Sequence, residues 1–376
     1  MKDIIIIRHE PLNKHTQEIY MIDELTARGF KVFYWDLSSL CFPGMVLHNE
    51  VQVENSLKIP ALASLNEQLQ NTEINNAVFI VDVFENWANR KIFKLLKDHA
   101  CFSVRIDLFA DSILPIPKWK YFNFTWFDVT NFFRKATKKI SYSLYERKYN
   151  LDPYQLYLTT APDTVTPRHK AVAINHPDYI KSLLPMKQPL VDGKYAVFLD
   201  EFFPFHPDLE HMLGIKSNAK EAQAYLDQLN RFFSYVETSM GLEVVIAAHP
   251  KSNYDNATFS NRKVFIYKTR ELVYDAELVL AQGSSSINYA VLFRKPIVFF
   301  YTNTYYRRYR YLYLTTAYHA AILNSPIFNI EQALPGALSP TVDDDAYRNY
   351  KYSKLTSRTC EGQSNSEILE RVISNI

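Results

Sequence analysis

A chain of 376 residues, with 47% hydrophobic residues and only 8 glycines, excludes disordered and fibrous classes and suits two domains of ordinary size. The formal charge of +2 gives no bulk attraction to nucleic acid, and three scattered cysteines (Cys41, Cys101, Cys360) form neither a disulfide framework nor a cysteine-based zinc site. The apolar run after Met-Lys-Asp is too short for a signal peptide and no stretch reaches the roughly 20 apolar residues that span a bilayer, so a reducing cytoplasm is the expected compartment.

Between Asp3 and Arg8 lies an unbroken apolar run, as expected of a central parallel strand. Thr16 to Arg28 places Ile19, Ile22 and Leu25 on one helical face and stops at Gly29. Strands are predicted at Lys31 to Leu37, Ala77 to Phe84 and Phe102 to Phe109, with a helix over Trp87 to Lys97 between the last two. This is a βαβ series and predicts a doubly wound domain over 1–165.

Residues 128 to 145 read as a basic amphipathic helix. Val129, Phe132, Phe133, Ala136, Ile140 and Leu144 fall at helical spacing, with Arg134, Lys135, Lys138 and Lys139 mostly off that stripe and Trp119 and Trp126 nearby. Either the stripe packs on the domain and the lysines are solvated, or the helix lies on an anionic lipid surface. The proline-rich stretch from 150 to 194 shows little periodicity, and 166–194 is expected to be an interdomain connection.

A second alternating series fills 195–345. It opens with a strand from Tyr195 to Asp200 and a helix from Ala219 to Thr238. The run Glu243-Val-Val-Ile-Ala-Ala-His249-Pro250-Lys251 is a buried strand ending on a His-Pro pair. Further strands are predicted near 263, at Leu278-Val-Leu-Ala-Gln-Gly283-Ser284-Ser285-Ser286, and at Ile297 to Tyr301, with a helix from Ile287 to Phe293 between the last two. Beyond about 302 the chain is rich in Tyr and Arg. The tail, 346–376, ends in a short helix opened by Ser364-Asn365-Ser366 and is expected to pack back on the first domain.

In open α/β sheets ligands bind off the carboxyl ends of the strands, which is where His249, Gly283 and Ser284 to Ser286 fall. Hydroxyls and backbone N–H groups at a helix start suit a phosphate. The bland alternatives are a satisfied histidine at a strand end and a serine helix cap.

Two Rossmann-like halves, a Pro-rich hinge, a His-Pro after one strand and a Gly-Ser-Ser-Ser before a helix together resemble a GT-B glycosyltransferase. His249-Pro250 followed by Ser284-Ser285-Ser286 is similar to the His-Pro and Ser-Ser/Thr motifs of bacterial sialyltransferases, polysialyltransferases and Kdo transferases. The segments Ala173-Ile-Asn-His-Pro-Asp178-Tyr179 and Val197-Phe-Leu-Asp200-Glu201-Phe-Phe-Pro-Phe-His206-Pro207-Asp208 also look like enzymes of surface-polysaccharide clusters. The resemblance covers roughly 170–301. The Asp/Glu-Asp/Glu-Gly triplet of sialyltransferases is missing.

The resemblance implies an α/β GT-B fold, with two Rossmann-like domains facing across a cleft. It also implies a CMP-activated 3-deoxy-2-ulosonic acid (Kdo, sialic or pseudaminic type) as donor and a glycan or lipid-linked glycan as acceptor. The donor would bind the second domain through His249, Pro250, Lys251, Gly283 and the serines, with the acceptor on the first. No metal and no cofactor beyond the donor substrate is expected. His249 would stabilise the departing phosphate. The acceptor's base would be a strand-end carboxylate: Asp82 and Asp111 are the leading candidates, beside Glu85 and Asp107, though each alone reads first as solvated or capping. Asp200 and Glu201 would attack the anomeric carbon or orient substrate.

Weaker signals are set aside. His206 and Asp208 read as loop capping, and Asp343-Asp344-Asp345 as an acidic turn rather than a metal-bound nucleotide site. Arg8-His9-Glu10 has a glutamate where a histidine phosphatase has glycine. Three alternatives to the main reading stay open: a UDP-sugar donor, a CDP-glycerol-type donor, and a non-catalytic glycan- or nucleotide-binding partner.

Overall fold

The computed structural model describes residues 2–43, 55–109, 126–164, 170–186, 188–205, 218–255, 257–336 and 338–376, with backbone alone at 126–135 and 164. Asp111, His206, Asp208 and Trp119 lie outside the described residues, as do the side chains of Trp126 and Lys135.

Two parallel sheets organise the chain, each belonging to its own compact unit. In the first unit the strands are β1 (Asp3–Arg8), β2 (Val32–Asp36), β3 (Ser56–Lys58), β4 (Ala77–Asp82), β5 (Ser103–Asp107), β6 (Leu156–Thr159) and β7 (Lys170–Ala173), in the order β3-β2-β1-β4-β5-β6-β7. The isoleucine run of β1 shows why the strand is central. Ile4 and Ile6 pack into the core on one face of the sheet and Ile5 and Ile7 into the core on the other, all at most 2% exposed.

Helices α4 (Leu62–Gln70) and α5 (Arg90–Asp98) cover one face through Leu65, Leu69, Ile92, Phe93 and Leu96. Short helices α1 (Lys14–Ile19) and α2 (Ile22–Ala27) lie on the other. The single helix predicted over Thr16 to Arg28 is therefore two, because Met21 takes a left-handed φ of 53° between them. After β2 comes α3 (Ser38–Cys41), and α6 (Trp126–Tyr149) is longer than the predicted basic helix at both ends.

The stretch from 150 to 194 holds β6 and β7, at one edge of the first sheet, and α7 (Pro177–Ser182). Both strands have four residues, too few to reveal a period beside prolines. The units divide between Pro177 and Asp178, inside this stretch.

The second sheet has strands β8 (Tyr195–Leu199), β9 (Glu243–Ala248), β10 (Val264–Ile266), β11 (Leu278–Ala281), β12 (Ile297–Tyr301) and β13 (Ile327–Asn329), ordered β10-β9-β8-β11-β12-β13. The long helix α8 (Ala219–Met240) lays Tyr225, Leu229, Phe232, Phe233 and Val236 on one face of it. On the other face sit α9 (Thr269–Asp275) and α10 (Ile287–Leu292). The Tyr- and Arg-rich region is helical, as α11 (Asn303–Arg308) and α12 (Arg310–Ile322). Asp343 opens α13 (Asp344–Tyr350), its carboxylate accepting the N–H groups of Asp345 and Ala346 at 3.1 and 3.0 Å, so the acidic triplet is a helix start. Among the described residues no helix is long and apolar enough to cross a membrane.

From Thr356 the chain returns to the first unit and ends in α14 (Asn365–Ile373), opened by a Ser364–Glu367 capping box. Ile368, Leu369 and Ile373 complete the same core as Ile4 and Ile6. Asn175, fully buried after β7, pins the return. Its amide donates to the Cys360 and Gln363 carbonyls at 3.0 and 2.9 Å, and its backbone exchanges two hydrogen bonds with the Asn365 side chain. Replacing Asn175 with Ala removes both amide hydrogen bonds and the Oδ1 that accepts the buried Thr356 hydroxyl at 2.6 Å. We expect urea unfolding to report a loss of about 2–3 kcal/mol; a change below about 0.5 kcal/mol would remove Asn175 as the anchor of the tail.

Candidate functional site

Each sheet starts in its middle and grows first to one side, then to the other. The reversal falls between β1 and β4 in the first unit and between β8 and β11 in the second. Loops leave these neighbouring strands in opposite directions, which opens a crevice at their carboxyl ends where α/β proteins bind ligands.

In the second unit the sequence candidates converge on that edge. β9, β8 and β11 are adjacent and parallel, so His249, Asp200 with Glu201, and Gly283 with the serines leave one edge of the sheet. Asp200 is buried. One carboxylate oxygen accepts the backbone N–H of His249 at 3.1 Å, and the other accepts the Phe202 N–H at 2.9 Å and the Tyr254 hydroxyl at 3.1 Å. Burial pushes this carboxyl up to about 6 against the pull of these donors. Its hydrogen bonds make Asp200 a positioning group that fixes the β9 end.

Glu201 turns the other way, toward β11. It accepts the Tyr305 hydroxyl at 3.1 Å and the Gly283 N–H. A Cβ at Gly283 would stand 3.0 Å from Glu201 Oε1 and 3.4 Å from the Tyr305 hydroxyl, so glycine makes room for the contact. Burial pushes the Glu201 carboxyl up to about 7, outweighing both donors. Behind it, the Tyr225 hydroxyl donates to the buried Gln282 side chain at 2.5 Å.

His249 heads a tight turn. Its carbonyl accepts the Ser252 N–H at 2.9 Å, and its Nδ1 accepts the Lys251 N–H at 3.1 Å. A ring nitrogen that accepts is unprotonated, so the neutral ring carries its hydrogen on Nε2. The Phe202 ring lies parallel to it, with centroids 6.3 Å apart. Pro250 and Lys251 are exposed.

The serines are placed less simply than the motif suggests. Two N–H groups expected to meet an anion are already engaged: that of Gly283 by Glu201, and that of Ser286 by Ser284 Oγ at 3.3 Å. The next three N–H groups bond back to the carbonyls of Ser284, Ser285 and Ser286. Ser285 is exposed, while Ser284 and Ser286 are half-buried.

The first unit's crevice holds a group the sequence reading passed over. Asp82 accepts Arg8 Nε at 2.7 Å and the Tyr20 hydroxyl at 2.8 Å. Burial opposes its ionisation, but the Arg8 guanidinium and the Tyr20 hydroxyl hold its pKa below the ordinary carboxylate value. An ionised, paired Asp82 is a poor proton acceptor. Glu85 pairs with Arg105 at 2.5 Å, and Asp107 accepts the Phe109 N–H at 3.3 Å.

His9 stands beside them, 6% exposed, with Nδ1 2.6 Å from the Asp82 carbonyl. A carbonyl only accepts, so Nδ1 carries the hydrogen, and in the neutral ring Nε2, 3.9 Å from Glu10 Oε1, is the acceptor. The rings of Phe84 and Phe42 pack on it at 4.3 and 5.9 Å between centroids. The signal was in the sequence: Arg8-His9-Glu10 sits at the carboxyl end of the four-isoleucine strand. Among the described residues no group of three or more His, Cys, Asp and Glu side chains stands together as a metal site would require.

No model of a known protein family matches this chain, and no curated protein matches it. Solved structures with a similar chain course include the glycosyltransferase SnogD from Streptomyces nogalater (12% identity, TM-score 0.49), the UDP-GlcNAc 2-epimerase from Methanocaldococcus jannaschii (10%, 0.48) and MurG from Acinetobacter baumannii (10%, 0.46). Each alignment covers 100% of both chains. Likeness at this level concerns the course of the backbone and assigns no activity.

The raised pKa of Glu201 links stability to pH. The folded state holds this proton more tightly than the unfolded chain, so the contribution is full below the ordinary glutamate pKa and is lost as pH rises to about 7. We expect wild-type stability to fall by about 1–3 kcal/mol through that window and the fall to flatten in Glu201→Gln. Urea midpoints measured across the window decide it; parallel profiles for the two proteins would mean that Glu201 ionises normally.

Proposed function

We propose that the chain is a glycosyltransferase, taking a nucleotide-activated sugar on its second unit and an acceptor hydroxyl on its first. The observation that carries this reading is the opposite polarity of two histidines at strand ends. The neutral His249 ring carries its hydrogen on Nε2, and the neutral His9 ring carries its hydrogen on Nδ1. Glycosyl transfer needs both: a donor of hydrogen bonds for the phosphate oxygen that leaves the anomeric carbon, and a base for the hydroxyl that attacks it. His9 fills the role sought among the carboxylates, because Asp82 is tied to Arg8.

For the donor we favour a CMP-activated 3-deoxy-2-ulosonic acid, on the pairing of His249-Pro250 with the serine triplet. Asp200 and Glu201 then hold the site together rather than attack the anomeric carbon. A UDP-sugar is the second reading, favoured by the exposed Lys251 and Ser285, which suit a second phosphate. The acceptor is a glycan or lipid-linked glycan of a surface polysaccharide, and turnover needs no metal.

Melting temperatures with CMP, CDP, UDP and GDP separate the donor readings, since a ligand of the native state raises its apparent stability. The largest shift is expected with CMP; a larger shift with UDP selects the second reading, and no shift with any of them removes the nucleotide site. With the true donor, His249→Ala and His9→Ala should each lower turnover by about 10²-fold or more while the protein stays folded. Near-normal turnover in either variant would displace that histidine from the mechanism. Activity is expected to survive EDTA, and loss on chelation with recovery on added Mg²⁺ or Mn²⁺ would replace the metal-free scheme.

A further inference from the structure

The described end of helix α6 turns Ile140 and Leu144 away from the protein. Three tyrosines fasten it to the first unit. Tyr142 is buried at 7% exposure, the Tyr145 ring meets Trp87 at 6.1 Å with Arg90 beside both, and Lys97 of α5 caps the helix end through the carbonyls of Tyr149 and Asn150. At 3.6 residues per turn, positions two before and two after Tyr142 lie about 160° away from it. Those positions are Ile140 and Leu144, each 60% exposed. A side chain of that size in water loses the favourable burial that most such residues find.

The surroundings of this pair are cationic. Lys138, Lys139, Arg147 and Lys148 are all exposed, and the only acid between 136 and 150, Glu146, is half-buried on the attached side. Arg147 and Lys148 lie within about 60° of this pair round the helix, whereas Lys138 and Lys139 fall nearer the Tyr142 side. Two adjacent aliphatic side chains flanked by two exposed cations match an interface between water and anionic lipid. The apolar groups enter the headgroup layer, and the long basic side chains reach lipid phosphates.

We propose that the outer side of α6 lies on an anionic membrane surface, with Ile140 and Leu144 inserted and Arg147 and Lys148 on the headgroups. The helix lies along the surface and does not cross it, because its described part is too polar to span. This surface is independent of the donor and acceptor assignments.

Sedimentation with vesicles tests it. The probes are vesicles of phosphatidylcholine alone, and of three parts phosphatidylcholine to one part phosphatidylglycerol. Wild type should bind the anionic vesicles, bind the neutral ones far less, and release at high salt. Arg147→Glu/Lys148→Glu should weaken binding by about 20-fold or more, at about fivefold for each basic residue lost from the surface. Ile140→Ser/Leu144→Ser should weaken it at least as clearly with an unchanged melting temperature, while Lys194→Glu/Lys220→Glu, elsewhere on the surface, should bind as wild type. Vesicle binding that none of these changes alters, or equal binding to neutral vesicles, overturns the proposal. So does a lowered melting temperature in Ile140→Ser/Leu144→Ser, which would mean the face is packed. A wild-type dimer that becomes monomeric in the same variant, with vesicle binding intact, would assign the face to a second copy of the chain.

Discussion

Two consecutive carboxylates at the end of one strand hold the second unit's site together. Both lie just beyond the last ladder residue of β8. Asp200 reaches the backbone of His249 on one neighbouring strand, and Glu201 reaches the backbone of Gly283 on the other. The ends of three strands are thereby fixed at a place where the sheet's own ladder has stopped. The energetics are unusual, because both carboxyls are held by neutral donors rather than by a cation. Burial raises both, so a proton is within reach of either near neutral pH. A ligand anion entering the crevice meets groups that can surrender their charge rather than oppose it.

The first unit solves the same problem with opposite chemistry. There the strand ends are tied by an ion pair, Arg8 with Asp82, reinforced by Thr16 and Tyr20. Arg8 also reaches Glu10, at 3.0 Å. A partly buried pair of this kind is expensive to break because either partner alone would be left charged and poorly solvated. It therefore makes a rigid floor, and His9 stands on it with its tautomer set by a carbonyl. Two crevices of the same topology are thus prepared for different partners, one through a fixed ionic network and one through carboxyls that titrate.

Much of the architecture was legible in the sequence because parallel strands buried on both faces leave continuous apolar runs. The strands at Ile4 to Ile7, Val244 to Ala248 and Ile297 to Tyr301 declare themselves this way. Edge strands do not: β7 and β13 have four and three residues and are partly exposed, so no run or alternation marks them. The Tyr- and Arg-rich helices were hidden for another reason. Their stacked Arg310, Tyr306 and Tyr313 give no simple polar and apolar faces. In α6 the spacing was legible, but it did not show that Ile140 and Leu144 face outward while Tyr142 and Tyr145 turn to the domain. At the site the sequence indicated which residues gather at strand ends. It did not indicate that Asp82 is neutralised by Arg8, which depends on the parallel pairing of β1 with β4.

The return of the chain at Thr356 has a consequence for synthesis. The second unit is complete once Leu355 has been made, whereas the first still lacks the helix that supplies Ile368, Leu369 and Ile373 to its core. On the ribosome, the later unit in sequence is the earlier one able to close. Until then the Ile4 and Ile6 side of the first sheet stays partly uncovered, and Asn175 waits for partners that have not been translated.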